Sequence, residues 1–411
     1  MVADKTREAI ELAARQSYGK LLAFLAARTR DVAGAEDALS EAFAAALATW
    51  PEQGVPRSPE AWLLTVARRR LIDAGRRQRT QVDATATILL AMDELESERG
   101  AEGDIPDERL RLMFACAHPA IQPEVRAPLI LQTVMGLDAA TIASAFLVAP
   151  ASMGQRLVRA KRKIHEAAIP FRVPEQDEMA ERLAAVLDAI YAAFAEGWSD
   201  PAGAVARERQ LTEEAIWLGR LVVSLLPDEP EARGLLALML HAEARRDARR
   251  DGAGGYVPLA TQDPRIWRTD LIEEAEEVLR IAGAMGRVGR FQLEAAVQSA
   301  HASRRTTGQT DWAAIVALYD ALLALSGSPV VAINRAVALA EIEGPAAGLA
   351  ALNDLAADAR LADYQPYWAA RASLLAAAQQ KSAADEAYER AIGLEPDPAV
   401  RRFLQQRRAA L

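Results

Sequence analysis

The segment PASMGQRLVRAKRKIHE, residues 150–166, carries five arginines or lysines among its seventeen residues. It sits in a chain whose formal net charge at pH 7 is -9. Read as a helix starting near Ser152, it lines Met153, Leu157, Ala160 and Ile164 along one face. Arg156, Arg159 and Lys163 fall on another, with Arg162 beside them. Such a helix has one side to bury and one to present. Ser152, Gln155 and Arg156 lie at its N-terminal end, where a major-groove helix meets base edges. Arginine can pair with guanine O6 and N7, and glutamine with adenine. Arg159, Lys161 and Lys163 suit phosphate oxygens, which position a protein on DNA without specifying sequence. The competing account is a solvated helix end whose late positive charges favour the helix dipole.

A second basic segment, PEAWLLTVARRRLIDAGRRQRT at 59–80, sets Arg68, Arg69, Arg70, Arg76, Arg77 and Arg79 against Glu60 and Asp73. Asp73 is four residues from both Arg69 and Arg77, so part of this charge can be local pairing worth about 0.2–0.5 kcal/mol per pair. Trp62 has two uses: a stacking platform for an unpaired base, or core beside a leucine stripe. Upstream, Leu39, Phe43, Leu47 and Trp50 recur at helical spacing, with Asp31, Glu36, Asp37 and Glu41 on the opposite face.

Other chemistry is sparse. One cysteine, Cys116, rules out an internal disulfide and fits a reducing compartment. The four histidines, His118, His165, His241 and His301, come with no HExxH and no paired cysteines, so no zinc site is expected. Cys116 and His118, two apart in CAHP, read as structural. GRVGR at 286–290 lacks the GxxxxGK[ST] of a phosphate loop, and no carboxylate pair is marked as a catalytic dyad. No cofactor is expected, and an enzyme is the least favoured class.

The elements that must position these residues are helices. With 411 residues the chain should form two or three domains. Hydrophobic residues at 51% and charged ones at 26% match a soluble globular protein. Aromatics at 5% with abundant alanine suggest closely packed helices. Residues 5–49 read as one helix. After PEQGVPRSP, Ser58-Pro59 is a good helix start, and that helix runs to about 78 with Leu63, Val66, Ala67 and Leu71 inward. Residues 80–107 are irregular and acidic toward their end. Four helical segments follow at 107–117, 124–135, 138–146 and 150–166. The tight joint at LVAP is what a helix-turn-helix requires, with Ile142 and Phe146 placed to pack on Met153 and Leu157. Residues 177–411 are Ala/Leu-rich helical pieces broken by WSDPAG, LLPDEPE, RRDGAGGY, RTTGQTD and LEPDPAV. NRAVALAE (334–341) and AYERAIGLEPDPAV (387–400) resemble tetratricopeptide (TPR) helix pairs. The N-terminus lacks the apolar core of a signal peptide, and no stretch is long and uncharged enough to cross a bilayer. A cytoplasmic protein without membrane partners is expected.

In combination these segments resemble the extracytoplasmic-function type of bacterial sigma-70 family factor. AGAEDALSEAFAAALATW (33–50) is similar to the helix that binds the coiled coil of the RNA polymerase beta-prime clamp. PEAWLLTVARRRLIDAGRRQ (59–78) is similar to the segment that melts and reads the promoter -10 element. RAPLILQTVMGLDAATIASAFLVAPASMGQRLVRAKRKI (126–164) resembles the region that contacts the beta flap and reads the -35 element. The resemblance implies an all-α chain: region 2 at 1–80, a flexible linker at 81–106, a region 4 helix-turn-helix at 107–170, and a TPR-like helical domain at 171–411. It implies a polymerase interface at Asp37, Leu39, Glu41 and Phe43. It brings Trp62, Arg68, Arg69, Arg76 and Arg77 toward -10 DNA, and Ser152, Gln155, Arg156, Arg159 and Lys163 toward -35 DNA. Gly75 departs from the common pattern and weakens a helix interior by about 1 kcal/mol, so the helix is expected to end or bend there. The longer departure is the C-terminal half. YAAFAEGW (191–198), WAAIVALYDALL (312–323) and SPVVAINRAVAL (328–339) resemble pieces of the extension found in one subgroup, which implies a regulator or a docking surface for a protein or small molecule.

The expected function is thus transcription initiation with core RNA polymerase and promoter DNA as partners. The alternative is a polymerase-independent helix-turn-helix regulator with a TPR-like signal domain. A helical scaffold that has lost promoter activity is the third reading.

Overall fold

A break at Arg30 and Asp31 divides the helix that periodicity predicts over 5–49. In the computed structural model, which describes residues 17–77, 108–145, 148–198 and 206–411, α1 occupies 17–29 and α2 Val32–Gln53. Arg30 adopts a φ of 54°, and the Asp31 carboxylate accepts the Gly34 amide at 3.0 Å as an N-cap. Asp31 was therefore a start signal rather than a member of an acidic face. The apolar stripe also needs correcting. Leu39 and Trp50 are buried, but Leu47 is 52% exposed. A strict i+4 row advances about 40° around a helix at each step and so walks off the buried side. The true inward row is Ala35, Ala38, Leu39, Ala42, Ala46 and Trp50, mostly alanines that let neighbours approach closely.

The helix α3, Pro59–Arg77, continues through Gly75 rather than ending there. Leu63, Leu64 and Ala67 are buried, while Val66 and Leu71 are only half-buried. Trp50 and Trp62 meet edge to face at 5.4 Å and join α2 to α3.

The next four helices follow the sequence reading closely: α4 Arg109–Cys116, α5 Pro123–Met135, α6 Ala139–Ala145 and α7 Pro150–Glu166. Gly136, at φ 68°, ends α5 with a left-handed cap. The Asp138 carboxylate then accepts the amides of Ala140 and Thr141 at 2.9 Å to start α6. The helix α7 begins at Pro150 with Ala149 as its cap, not at Ser152. Its inward face is Met153, Leu157, Ala160 and Ile164, and Ile142 of α6 is also buried. Phe146, and the linker expected at 81–106, lie outside the described residues.

The chain divides into two compact units, Met1–Ala193 and Phe194–Leu411. Helices α1–α7 belong to the first, where α1 and α5 touch backbone to backbone. A Cβ added to Gly19 would lie 1.9 Å from the Val134 carbonyl oxygen, so only glycine permits this approach. The segment 17–77 and the segment 108–166 are thus packed on each other.

The helix α8, Gln176–Trp198, runs from the first unit into the second. The second unit continues with α9 Ala206–Leu225 and α10 Pro230–Glu243, then a turn-rich stretch, then α11 Thr269–Ala284 and α12 Arg290–Ala302. It ends with α13 Trp312–Ser326, α14 Pro329–Glu343, α15 Pro345–Asn353, α16 Gln365–Ala377, α17 Lys381–Leu394 and α18 Pro398–Ala409. Ile333, Leu349, Leu352, Tyr367, Leu375, Tyr388 and Leu404 form a core shared by its last five helices. Among the described residues there is no strand, only one isolated bridge between Arg250 and Tyr256.

Candidate nucleic-acid interface

The amphipathic division of α7 is real. With Met153, Leu157, Ala160 and Ile164 turned inward, Gln155, Arg159, Arg162 and Lys163 are exposed, and Ser152 and Arg156 are half-buried. Arg162 makes a 3.4 Å pair with Glu166, both well exposed, which is worth only about 0.3–0.5 kcal/mol. The five residues expected at -35 DNA therefore share one outward side of one helix.

Lys161 does not belong to that side. It is 9% exposed, and its ammonium pairs with the Glu36 carboxylate of α2. The Tyr18 hydroxyl donates to the same carboxylate at 3.4 Å. Burial first, and then the Glu36 charge, hold the Tyr18 phenol well above its usual pKa. Its position in a row of basic residues suggested a phosphate contact; its place on the inner edge of α7 makes it a tie between α7 and α2 instead.

On α2, Asp37 and Glu41 are exposed, Leu39 is fully buried, and Phe43 is half-buried against Tyr18 with ring centroids 6.5 Å apart. Leu39 therefore acts only by supporting the helix. Glu41 pairs with Arg70 of α3 at 3.2 Å. Both side chains are about half exposed, so the pair contributes less than about 1 kcal/mol and leaves Glu41 accessible.

On α3 the arginine row splits. Arg69 is exposed, whereas Arg68 is 9% exposed with its guanidinium 5.2 Å from the Phe24 ring centroid. Trp62 is half-buried against Trp50, the arrangement of a core tryptophan. The side chains of Arg76 and Arg77 lie outside the described residues.

Cys116 is fully buried with its Sγ 3.5 Å from Thr133 Oγ1, and burial pushes its thiol up to about 12. A neutral, sheltered thiol has no sensor chemistry. His118 accepts the Ala120 amide at 3.1 Å, and burial lowers its pKa. No group of three His, Cys, Asp or Glu able to hold a metal ion occurs among the described residues. Sequence reasoning missed two polar ties of this unit. Besides Lys161–Glu36, the 6% exposed Arg126 donates to the Ile121 carbonyl at 3.0 Å and to Glu181 at 2.6 Å. Both ties join residues far apart in sequence, where no local spacing signals a partner.

Sigma-70 region 2 matches residues 14–81, which cover α1 to α3, and a family of unknown function (DUF6596) matches 182–283. Region 2 is a non-catalytic module of transcription factors, whose partners in general are RNA polymerase and promoter DNA. An uncharacterized protein of Rhizobium meliloti (strain 1021) is 40% identical over 394 residues, spanning 95% of this chain and 92% of the relative. No solved structure matches. No described helix is long and apolar enough to cross a membrane.

Proposed function

This chain belongs to the family of that Rhizobium meliloti protein, and we propose that it is a bacterial transcription initiation factor of the extracytoplasmic-function sigma type. The match of region 2 to α1–α3 carries the reading. In this account Asp37 and Glu41 of α2 meet the beta-prime clamp of core RNA polymerase. The adjoining α3 brings Arg69, with Arg76 and Arg77, to the -10 DNA. Helices α6 and α7 act as the region 4 helix-turn-helix, with α5 beside the beta flap. Gln155 and Arg156 read bases in the -35 major groove while Arg159 and Lys163 hold phosphates.

No covalent step is needed. Promoter opening is driven by binding, and capture of unstacked bases supplies about 1–3 kcal/mol each. Arg68 and Trp62 support the melting segment from within, since both face neighbouring aromatic rings of the same unit. The TPR-like C-terminal region modulates this activity or docks a regulator.

Co-elution with core polymerase tests the reading. Wild-type protein should form a stoichiometric complex that protects a promoter fragment at two elements. Asp37→Lys with Glu41→Lys should abolish the complex while leaving the helical content unchanged. Specific duplex binding that needs no polymerase, with no complex formed, would favour an ordinary helix-turn-helix regulator.

A further inference from the structure

From the last residues of α10 into the turn-rich stretch after it, the chain reads HAEARRDARRDGAGGY and gathers four arginines, to which the short helical turn Arg304–Thr307 after α12 adds Arg304. Two of these five are neutralised. Arg246 pairs with Glu243 at 2.8 Å, and Arg250 pairs with Asp397 at 2.5 Å. The other three are bonded to neutral acceptors. Arg245 donates to the Gln298 side-chain oxygen and, at 3.3 Å, to the His241 carbonyl. Arg249 donates to the Trp198 carbonyl at 2.7 Å. Arg304 forks onto the carbonyls of Leu259, Ala260 and Gln262, each at 3.0 Å.

These guanidiniums are partly buried and close to one another. Burial, then Arg249 and Arg304, hold Arg245 down to about 10. Burial, then Arg245 and Arg304, bring His301 down to about 4. Aromatic rings wall the cluster: Arg249 lies 4.4 Å and Arg246 5.0 Å from the Trp198 ring, and Arg304 lies 5.3 Å from Trp267. Buried polar atoms without a hydrogen-bond partner concentrate here as well. They are Arg304 Nε, Arg250 Nη1, Trp267 Nε1, both ring nitrogens of His241, a residue only 2% exposed, and one acceptor, Gln262 Oε1. His241 Nε2 lies 3.4 Å from Glu276 Oε1, which already accepts the Ser299 hydroxyl at 2.6 Å. Glu294, beside Tyr319, is taken by Arg290 at 2.8 Å.

Among the described residues these three half-buried guanidiniums donate only to neutral acceptors, and Asp397 near Arg249 is already paired to Arg250. Such charge is unfavourable unless an anion completes it. A carboxylate or phosphate accepts from the arginine N–H groups that the carbonyls leave over; on Arg304 these are the Nε–H and one Nη1–H, since Leu259 and Gln262 take both Nη2 hydrogens. We propose that Arg245, Arg249 and Arg304 form a binding site for a small soluble ligand bearing an oxyanion, a phosphate or a carboxylate group. The three arginines are partly buried beside Trp198 and Trp267 rather than spread along an exposed stripe, which suits a small molecule better than a nucleic-acid backbone. It stands independently of what the first unit does.

Full-length protein titrated calorimetrically with inorganic phosphate, pyrophosphate or citrate, at an ionic strength fixed with chloride, tests this. Saturable one-site binding of at least one anion is expected, and the preference between pyrophosphate and citrate assigns the phosphate or carboxylate class. Arg249→Gln and Arg304→Gln should each weaken it at least about tenfold, whereas Arg280→Gln, an exposed arginine paired with Glu277 on α11, should leave it unchanged. Arg304→Lys keeps the charge and loses the unpaired Nε–H; it should fold and still bind more weakly. Absence of saturable binding by the wild type, or affinity unchanged in the Arg249 and Arg304 variants, would overturn the proposal.

Discussion

Lys161→Met separates two roles that the sequence offered for one lysine. The Lys161 and Glu36 side chains are 11% and 21% exposed, so their pair is largely removed from water. Removing one member of a buried pair costs about 3–5 kcal/mol, most of it from the charge left behind. Here the residual exposure and the Tyr18 hydroxyl, still able to donate to Glu36, reduce that to about 2 kcal/mol. Hydrogen exchange in the full-length protein reads such local openings directly. At about 1.4 kcal/mol per factor of ten, amides of α7 should exchange about 30-fold faster in Lys161→Met. Glu36→Gln combined with Lys161→Met removes the stranded carboxylate and should recover much of the protection. Promoter binding supplies the opposing readout. A lysine on phosphate contributes about one unit to the slope of log affinity against log salt, and Lys161→Met should leave that slope unchanged. A slope reduced by about one, with α7 exchange unaltered, would refute the structural role.

Four further outcomes follow from named contacts. Arg159→Ala and Lys163→Ala should each lower the salt slope by about one without changing base preference, whereas Arg156→Ala should relax preference at one base pair at about 1–3 kcal/mol, measured by binding to a set of point-mutated duplexes. Gly19→Ala puts a methyl group against the Val134 carbonyl and should destabilise the first unit by about 1–3 kcal/mol, read as faster exchange of both α1 and α5. Cys116 should not react with a thiol reagent at pH 8 in the native protein and should react fully once unfolded, because burial holds the thiol neutral. Burial, then Arg245, lowers His241 to about 4 in the folded state against 6.5 unfolded, so the unfolded chain binds the proton first. Its contribution is complete above pH 6.5 and is lost as pH falls toward 4, by up to about 3 kcal/mol; unfolding measured at pH 7 and pH 5 should show the loss, and His241→Phe should remove about half of it, the remainder belonging to His301, which is lowered alike.

The helices of the first unit were legible where periodicity was strong. The inward row Met153, Leu157, Ala160 and Ile164 is the one the spacing selects, and four helices between 109 and 166 fall within a few residues of their expected ends. Two local features defeated it. Asp31 capped a new helix inside a long helical pattern, and alanine rather than leucine occupied most of the buried row of α2, so an i+4 leucine pattern pointed to the exposed Leu47. Charge was less legible than apolar pattern. A basic run marks Arg159, Lys161 and Lys163 alike; helix phase sets Lys161 beside Leu157 and Ile164, and the tertiary position of Glu36 supplies the partner that phase alone does not show. Arg249 and Arg250 read as part of the RRDGAGGY break and nothing in the sequence marks Arg245, because the neutral acceptors Gln298 and Trp198 come from elements about 50 residues away.

Transcription in vitro from a genomic promoter library, with purified core polymerase and the full-length protein, tests the central claim most directly. The account predicts start sites that appear only when the protein is added, share -10 and -35 elements, and disappear with Asp37→Lys plus Glu41→Lys. That double variant should still fold, because both residues are exposed and only the weak Glu41–Arg70 pair is lost. An absence of protein-dependent starts, while the isolated protein still binds specific duplex sites, would contradict it.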